Sequence, residues 1–173
     1  MIRVICVTML MGLSTAHAGK VDDQFGNGPL GLAWGAPLEV VQAKHPGGLT
    51  WRSQEAHGTF FVYEVDLNAK SFGLEDQNVH THFEFGKDER LRKVSLMFDY
   101  DRRDDVLYKL GELLGQDYLP TSTDNGTRYA WRAKNGLSVA LNIGKTRKLG
   151  WVVLHVDAID YLEMMLGTPP SRP

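Results

Sequence analysis

Two histidines, His80 and His82, stand one residue apart in the run Val79-His80-Thr81-His82-Phe83-Glu84-Phe85. On an extended strand residues two apart point the same way, so both imidazoles and the Glu84 carboxylate share one side, a donor set suited to zinc. A further ligand would come from a neighbouring strand: His155 if the last strand lies close, or His57 if its loop folds over. The plainer reading is a polar row opposite Val79, Thr81, Phe83 and Phe85, as any half-solvated strand shows. Carboxylates form the second group. Glu64 and Asp66 alternate on one side of their segment, and Asp99, Asp101, Asp104 and Asp105 crowd a helix start. Glycoside hydrolysis needs two carboxyls roughly 5 to 9.5 Å apart with one raised pKa. Acids at a helix N-terminus and on a solvated strand have ordinary structural causes instead. No serine sits in a Gly-x-Ser-x-Gly elbow, and no glycine run has the lysine of a phosphate loop.

The elements that must position these groups follow from periodicity. Pro29 to Gly35 reads as an opening strand and glycine turn, then a short helix with Pro37 in its first turn and Leu38, Val41 and Ala43 as its apolar positions. Four strands are expected over Leu49–Ser53, Thr59–Leu67, Val79–Phe85 and Leu91–Asp99. A helix starting between Asp101 and Asp105 carries Val106, Leu107, Leu110, Leu113 and Leu114 and ends at Gly115. Three more strands follow over Arg128–Ala133, Leu137–Ile143 and Leu149–Asp157, the first two joined by Lys134-Asn135-Gly136, a hairpin signal. Ile159–Leu166 reads as a last helix, and 167–173 as a disordered tail.

The fold class expected is therefore α+β: a curved antiparallel sheet of about seven strands with two helices on one face. The order of elements in 29–99 and 101–157 suggests two tandem αβββ repeats, with Trp51 and Trp131 each on the strand after the helix. One domain is expected over 29–166, preceded by a flexible lead over 19–28.

Composition bounds the compartment. Arg3, the apolar Val4–Leu13 and the small-x-small Ala16-His17-Ala18 describe a cleavable signal peptide over residues 1–18 of the 173. The lone cysteine, Cys6, lies in that leader, so a secreted product has neither disulfide nor thiolate, and Cys6 is misplaced for lipid attachment. Losing Arg3 moves the net charge from −2 to −3. The dense basic runs, Arg90/Arg92/Lys93 and Lys145/Arg147/Lys148, are short, which argues against nucleic acid as a partner. The expectation is a periplasmic protein, not lipid-anchored and not inserted in a membrane.

The segments Gly31-Leu32-x-Trp34-Gly35-x-Pro37 and Lys87-Asp88-Glu89-Arg90-Leu91, the latter leading into Val94–Phe98, carry a resemblance. Over most of 29–157 the chain resembles small exported proteins with the fold of β-lactamase-inhibitor protein and of the SmpA/OmlA outer-membrane assembly lipoproteins. That resemblance implies helices covering one face of an antiparallel sheet. This chain lacks the lipobox cysteine of the one group and the disulfides of the other, and neither group's binding residues transfer to it.

The third candidate is a surface. With helices over the face holding Phe83, Phe85, Val94, Leu96, Leu137, Val139, Leu141 and Ile143, the other face collects Phe60, Glu64, Asp66, His80, His82, Lys93, Met97, Arg132, Trp151 and His155. Aromatic and thioether groups among charges are the composition of a protein-binding patch. The competing reading packs them under the tail or the 71–78 loop. The functional expectation is a non-catalytic binding module without cofactor, an inhibitor or immunity protein against an envelope-acting enzyme or toxin. The alternatives are an accessory of outer-membrane or wall assembly, and a zinc-dependent hydrolase using His80 and His82.

Overall fold

A computed structural model describes residues 18–55, 58–68, 78–133, 136–145 and 151–158. Three helices, α1 (Ala18–Phe25), α2 (Leu38–Lys44) and α3 (Arg103–Leu114), accompany eight strands. The first four are β1 (Leu49–Glu55), β2 (Gly58–Asn68), β3 (Asn78–Phe85) and β4 (Leu91–Asp99). The second four are β5 (Leu119–Thr123), β6 (Gly126–Arg132), β7 (Ser138–Gly144) and β8 (Trp151–Asp157). They form one antiparallel, curved and unclosed sheet in the order β1-β2-β3-β4-β8-β7-β6-β5. The α+β class is as expected from the alternation of apolar and polar residues.

The order is symmetric about the β4·β8 junction. Apart from α1, each half runs an α-helix and then four strands, so the order of elements repeats as αββββ. The additional strand is β5, exposed along its whole length at the sheet edge and containing Pro120, which is why periodicity did not mark it. The pairing of Trp51 with Trp131 does not survive either. Trp51 lies in the first strand of its half and Trp131 in the second strand of the other, Trp131 buried in the core and Trp51 exposed. Tyr63, in the second strand of the first half, takes the place that corresponds to Trp131.

All three helices deliver their apolar stripes to one side of the sheet. Val21 and Phe25 from α1, Val41 from α2, and Val106, Leu110 and Leu114 from α3 join Tyr63, Phe83, Phe85, Val94, Leu96, Val139, Leu141, Leu154 and Val156 in a single core. The segment expected as a flexible lead is thus helical from Ala18, because the i, i+4 pair Val21 and Phe25 gives it a buried stripe among its polar residues. Pro29–Ala36 forms successive turns rather than a strand. Its end docks on the start of β4: Gly35 N–H donates to Leu91 O, Leu91 N–H to Ala36 O, and the Arg90 guanidinium to Gly35 O. The Gly31–Pro37 and Lys87–Leu91 segments therefore interlock. At the start of α3, Asp104 and Asp105 pair with Arg103 and Arg102.

Residues 1–17, 159–173 and His57 lie outside the described residues, as do Lys134 and Asn135 of the expected hairpin. The leader, tail helix and disordered end fall there. No helix among the described residues is long and apolar enough to cross a membrane.

Candidate functional site on the open sheet face

Register decides which side chains meet. Glu64 faces His82 and Asp66 faces His80 across β2·β3; His82 faces Ser95 and Glu84 faces Lys93 across β3·β4; Ser95 faces His155 across β4·β8. Because side chains alternate, all of these project to the side opposite the helices. Met97, opposite His80, and Arg132, opposite Ser138 on β6·β7, fall on the same face. Among the described residues no helix covers it. Phe60 and Trp151 hold register positions opposite Ser53 and Asp99, and their side chains lie outside the described set.

Two polar clusters occupy this face. In the first, His80 Nε2 and His82 Nε2 are 3.1 Å apart. Glu64 Oε2 lies 3.6 Å from His82 Nε2 and 3.9 Å from His80 Nε2. The other nitrogen of His80, Nδ1, is 3.1 Å from Asp66 Oδ1. Trp51 closes the cluster, donating from Nε1 to Glu64 Oε2 at 2.8 Å with its ring edge-on to His82. Glu84, which the i, i+2 spacing offers as a ligand, turns the other way. Its carboxylate accepts from Lys93 Nζ at 3.0 Å and from Ser95 Oγ at 2.9 Å.

That pair begins the second cluster. Since an ionised carboxylate only accepts, the Ser95 hydroxyl donates to Glu84, and Ser95 Oγ then accepts the Nδ1–H of His155 at 2.8 Å. Ser95 is buried, and the hydroxyl stands between carboxylate and imidazole instead of the imidazole between the other two. This is not the order of a hydrolytic triad, in which the carboxylate orients the histidine. Burial, with the nearby Lys93 and Arg128 cations behind it and Glu84 opposing, pulls the His155 pKa down from 6.5 to about 4, so its ring is neutral at neutral pH. His82 is also lowered, first by burial and then by His80, with Glu64 and Glu84 opposing.

The clusters meet at a cavity of about 540 Å³ whose walls include His82, Glu84, Ser95, Met97 and His155, with the β5–β6 turn at Asn125 and Gly126 forming its rim. A site of this size and polarity can hold a polar group by preformed hydrogen bonds. Sequence reasoning placed Glu64, Asp66, His80, His82, Lys93, Met97, Arg132 and His155 on one face, and the register does so. It did not single out Trp51 or Ser95. It looked to Glu84, His57 or His155 to complete the histidine pair, whereas Glu64 does so, and His155 sits two strands from His82 with Ser95 between. Comparisons of the chain with protein-family models, with curated proteins and with solved structures return no match.

Proposed function

We propose that this chain is an exported, periplasmic binding module that acts without catalysis of its own, laying the open face of its sheet against another protein. The most specific form of the proposal is inhibition or immunity directed at an envelope-acting enzyme or toxin. The observation that carries it is the one-sidedness of the described fold: three helices pack on one face, and the other presents a cavity lined in part by Met97 and His82, with Trp51 edge-on to His82 and exposed charges on the same face. Trp51 is 39% exposed, yet its indole N–H is fixed on Glu64. An aromatic anchor already held in place loses little side-chain freedom on association, which favours binding. Arg132 is exposed on the same face, a donor for a partner's carboxylate. The suspected resemblance of most of 29–157 to an inhibitor fold accords with this reading.

The test is affinity capture from envelope extracts and from secreted enzymes, with Trp51→Ala and Arg132→Glu on the open face and Tyr108→Ala on α3 as the control. A protein captured by the parent and by Tyr108→Ala but lost with both open-face variants supports the proposal. Capture that ignores the open-face substitutions, or no capture at all, overturns it.

A further inference from the structure

We propose that Glu64, His80 and His82 form a binding site for a divalent transition-metal ion of the zinc class, built across β2 and β3. The donor atoms of this site come together within the chain itself, without a protein partner. Metal–ligand bonds of about 2.0–2.2 Å at tetrahedral angles put neighbouring donor atoms roughly 3.3–3.6 Å apart. Here His80 Nε2, His82 Nε2 and Glu64 Oε2 form a triangle with sides of 3.1, 3.6 and 3.9 Å. The donors come from an i, i+2 pair on one strand and a cross-strand carboxylate directly opposite His82, so the sheet register holds them before any ion arrives.

The surroundings have the form that supports such a centre. Histidine ligands usually donate their other N–H to a carboxylate, which fixes the tautomer and leaves the coordinating nitrogen bare. His80 does this with Asp66 through Nδ1, leaving its Nε2 as a lone pair aimed at His82 Nε2. Either the His82 N–H donates to that lone pair, or both rings turn their lone pairs on one cation. The nearby Glu64 carboxylate suits the second arrangement, because it supplies the negative charge that a divalent ion requires. Trp51 Nε1 holds that carboxylate in place, as a supporting donor does for a ligating oxygen. Two imidazoles select a zinc-class ion over magnesium or calcium, which prefer oxygen alone. Three protein ligands leave a fourth tetrahedral position. His82 also lines the cavity, so the site and the cavity share one wall residue.

The experiment titrates Zn²⁺ by calorimetry, and Co²⁺ by visible absorption, into protein made without a polyhistidine tag and stripped with a chelator. One equivalent with the bands of tetrahedral cobalt is expected. His80→Ala and His82→Ala should abolish stoichiometric binding, Asp66→Asn should weaken it about 10- to 100-fold, and Arg132→Glu should leave it unchanged. His80 and Asp66 are exposed, so their variants should keep the parent's circular dichroism and thermal transition. No stoichiometric uptake by the folded parent overturns the site, and so does parental affinity in folded His80→Ala or unaltered affinity in Asp66→Asn. Because Arg132 belongs to the partner-binding proposal and not to this site, failure of one is distinguishable from failure of the other.

Discussion

Tyr63 and Trp131 perform the same task in the two halves of the sheet. Each lies in the second strand of its half, faces the core, and donates a side-chain hydrogen bond to the carbonyl that caps the preceding helix: Tyr63 OH to His45 O after α2, and Trp131 Nε1 to Gly115 O after α3. A helix C-terminus leaves carbonyls without intrahelical partners. The two aromatic donors satisfy one such group in each half while packing against the sheet. Tyr63 does more, since its oxygen also accepts the Gly48 N–H at 2.9 Å, fixing the turn into β1.

Tyr63→Phe keeps the ring and removes both hydrogen bonds, leaving a part-buried carbonyl and N–H unpaired. The expected loss is about 1–3 kcal/mol, read as a lower denaturant midpoint with an unchanged m-value. A variant that unfolds at the parent's midpoint would show that the hydroxyl fixes nothing.

His155 makes stability depend on acid. Its folded pKa of about 4 lies below the ordinary 6.5, so between those values the unfolded chain binds a proton that the folded chain refuses. Stability from this group is intact above pH 6.5 and declines as pH falls towards 4, by about 3 kcal/mol in all. The lowered His82 and His45 add a loss of the same sign. Lys93 on β4, Glu84 and His82 on β3, and Arg128 on β6 act electrostatically on the ring. Denaturation curves across this window should show a shallower pH slope for His155→Gln than for the parent. Equal slopes in the two proteins would remove His155 as the cause.

At the cavity rim, Gly126 crosses β7 so closely that a Cβ would stand 1.9 Å from Ile143 O and 2.9 Å from Gly144 Cα. Both are backbone atoms, which no rotamer change can clear. Gly126→Ala should separate β6 from β7 at this corner and cost on the order of 1–3 kcal/mol. Hydrogen exchange reads it directly: the amides of residues 126 and 144 should lose protection while those of β2 and β3 keep it, and unchanged protection would contradict the steric argument.

Alternation alone separated the faces of β3 and β4. Val79, Phe83, Phe85, Val94 and Leu96 are buried on the helix side, and His80, His82, Glu84 and Lys93 lie on the other, because the side-chain period of a strand is two wherever it pairs. The apolar spacing of Val106, Leu110 and Leu114 likewise marked α3 and its buried stripe. Local pattern ran out where an element owed its place to contacts elsewhere. Polar α1 buries Val21 and Phe25 and is held at its end by the Trp34 Nε1–H donated to Phe25 O, and β5 has no buried face at all.

What only the tertiary structure decided is which neighbour each outward residue meets. Nothing in the spacing of residues 64, 80, 82, 84 and 155 distinguishes Glu64 as the third member of the histidine cluster. Strand order does, since adjacent strands lie about 4.8 Å apart and residues two strands away about twice that. Glu64 is adjacent to His82, whereas His155 lies beyond Ser95. The sequence by itself determined which residues would turn outward, because alternation is a property of each strand alone. The register between strands, set by core packing on the far side of the sheet, determined the partners they would find there.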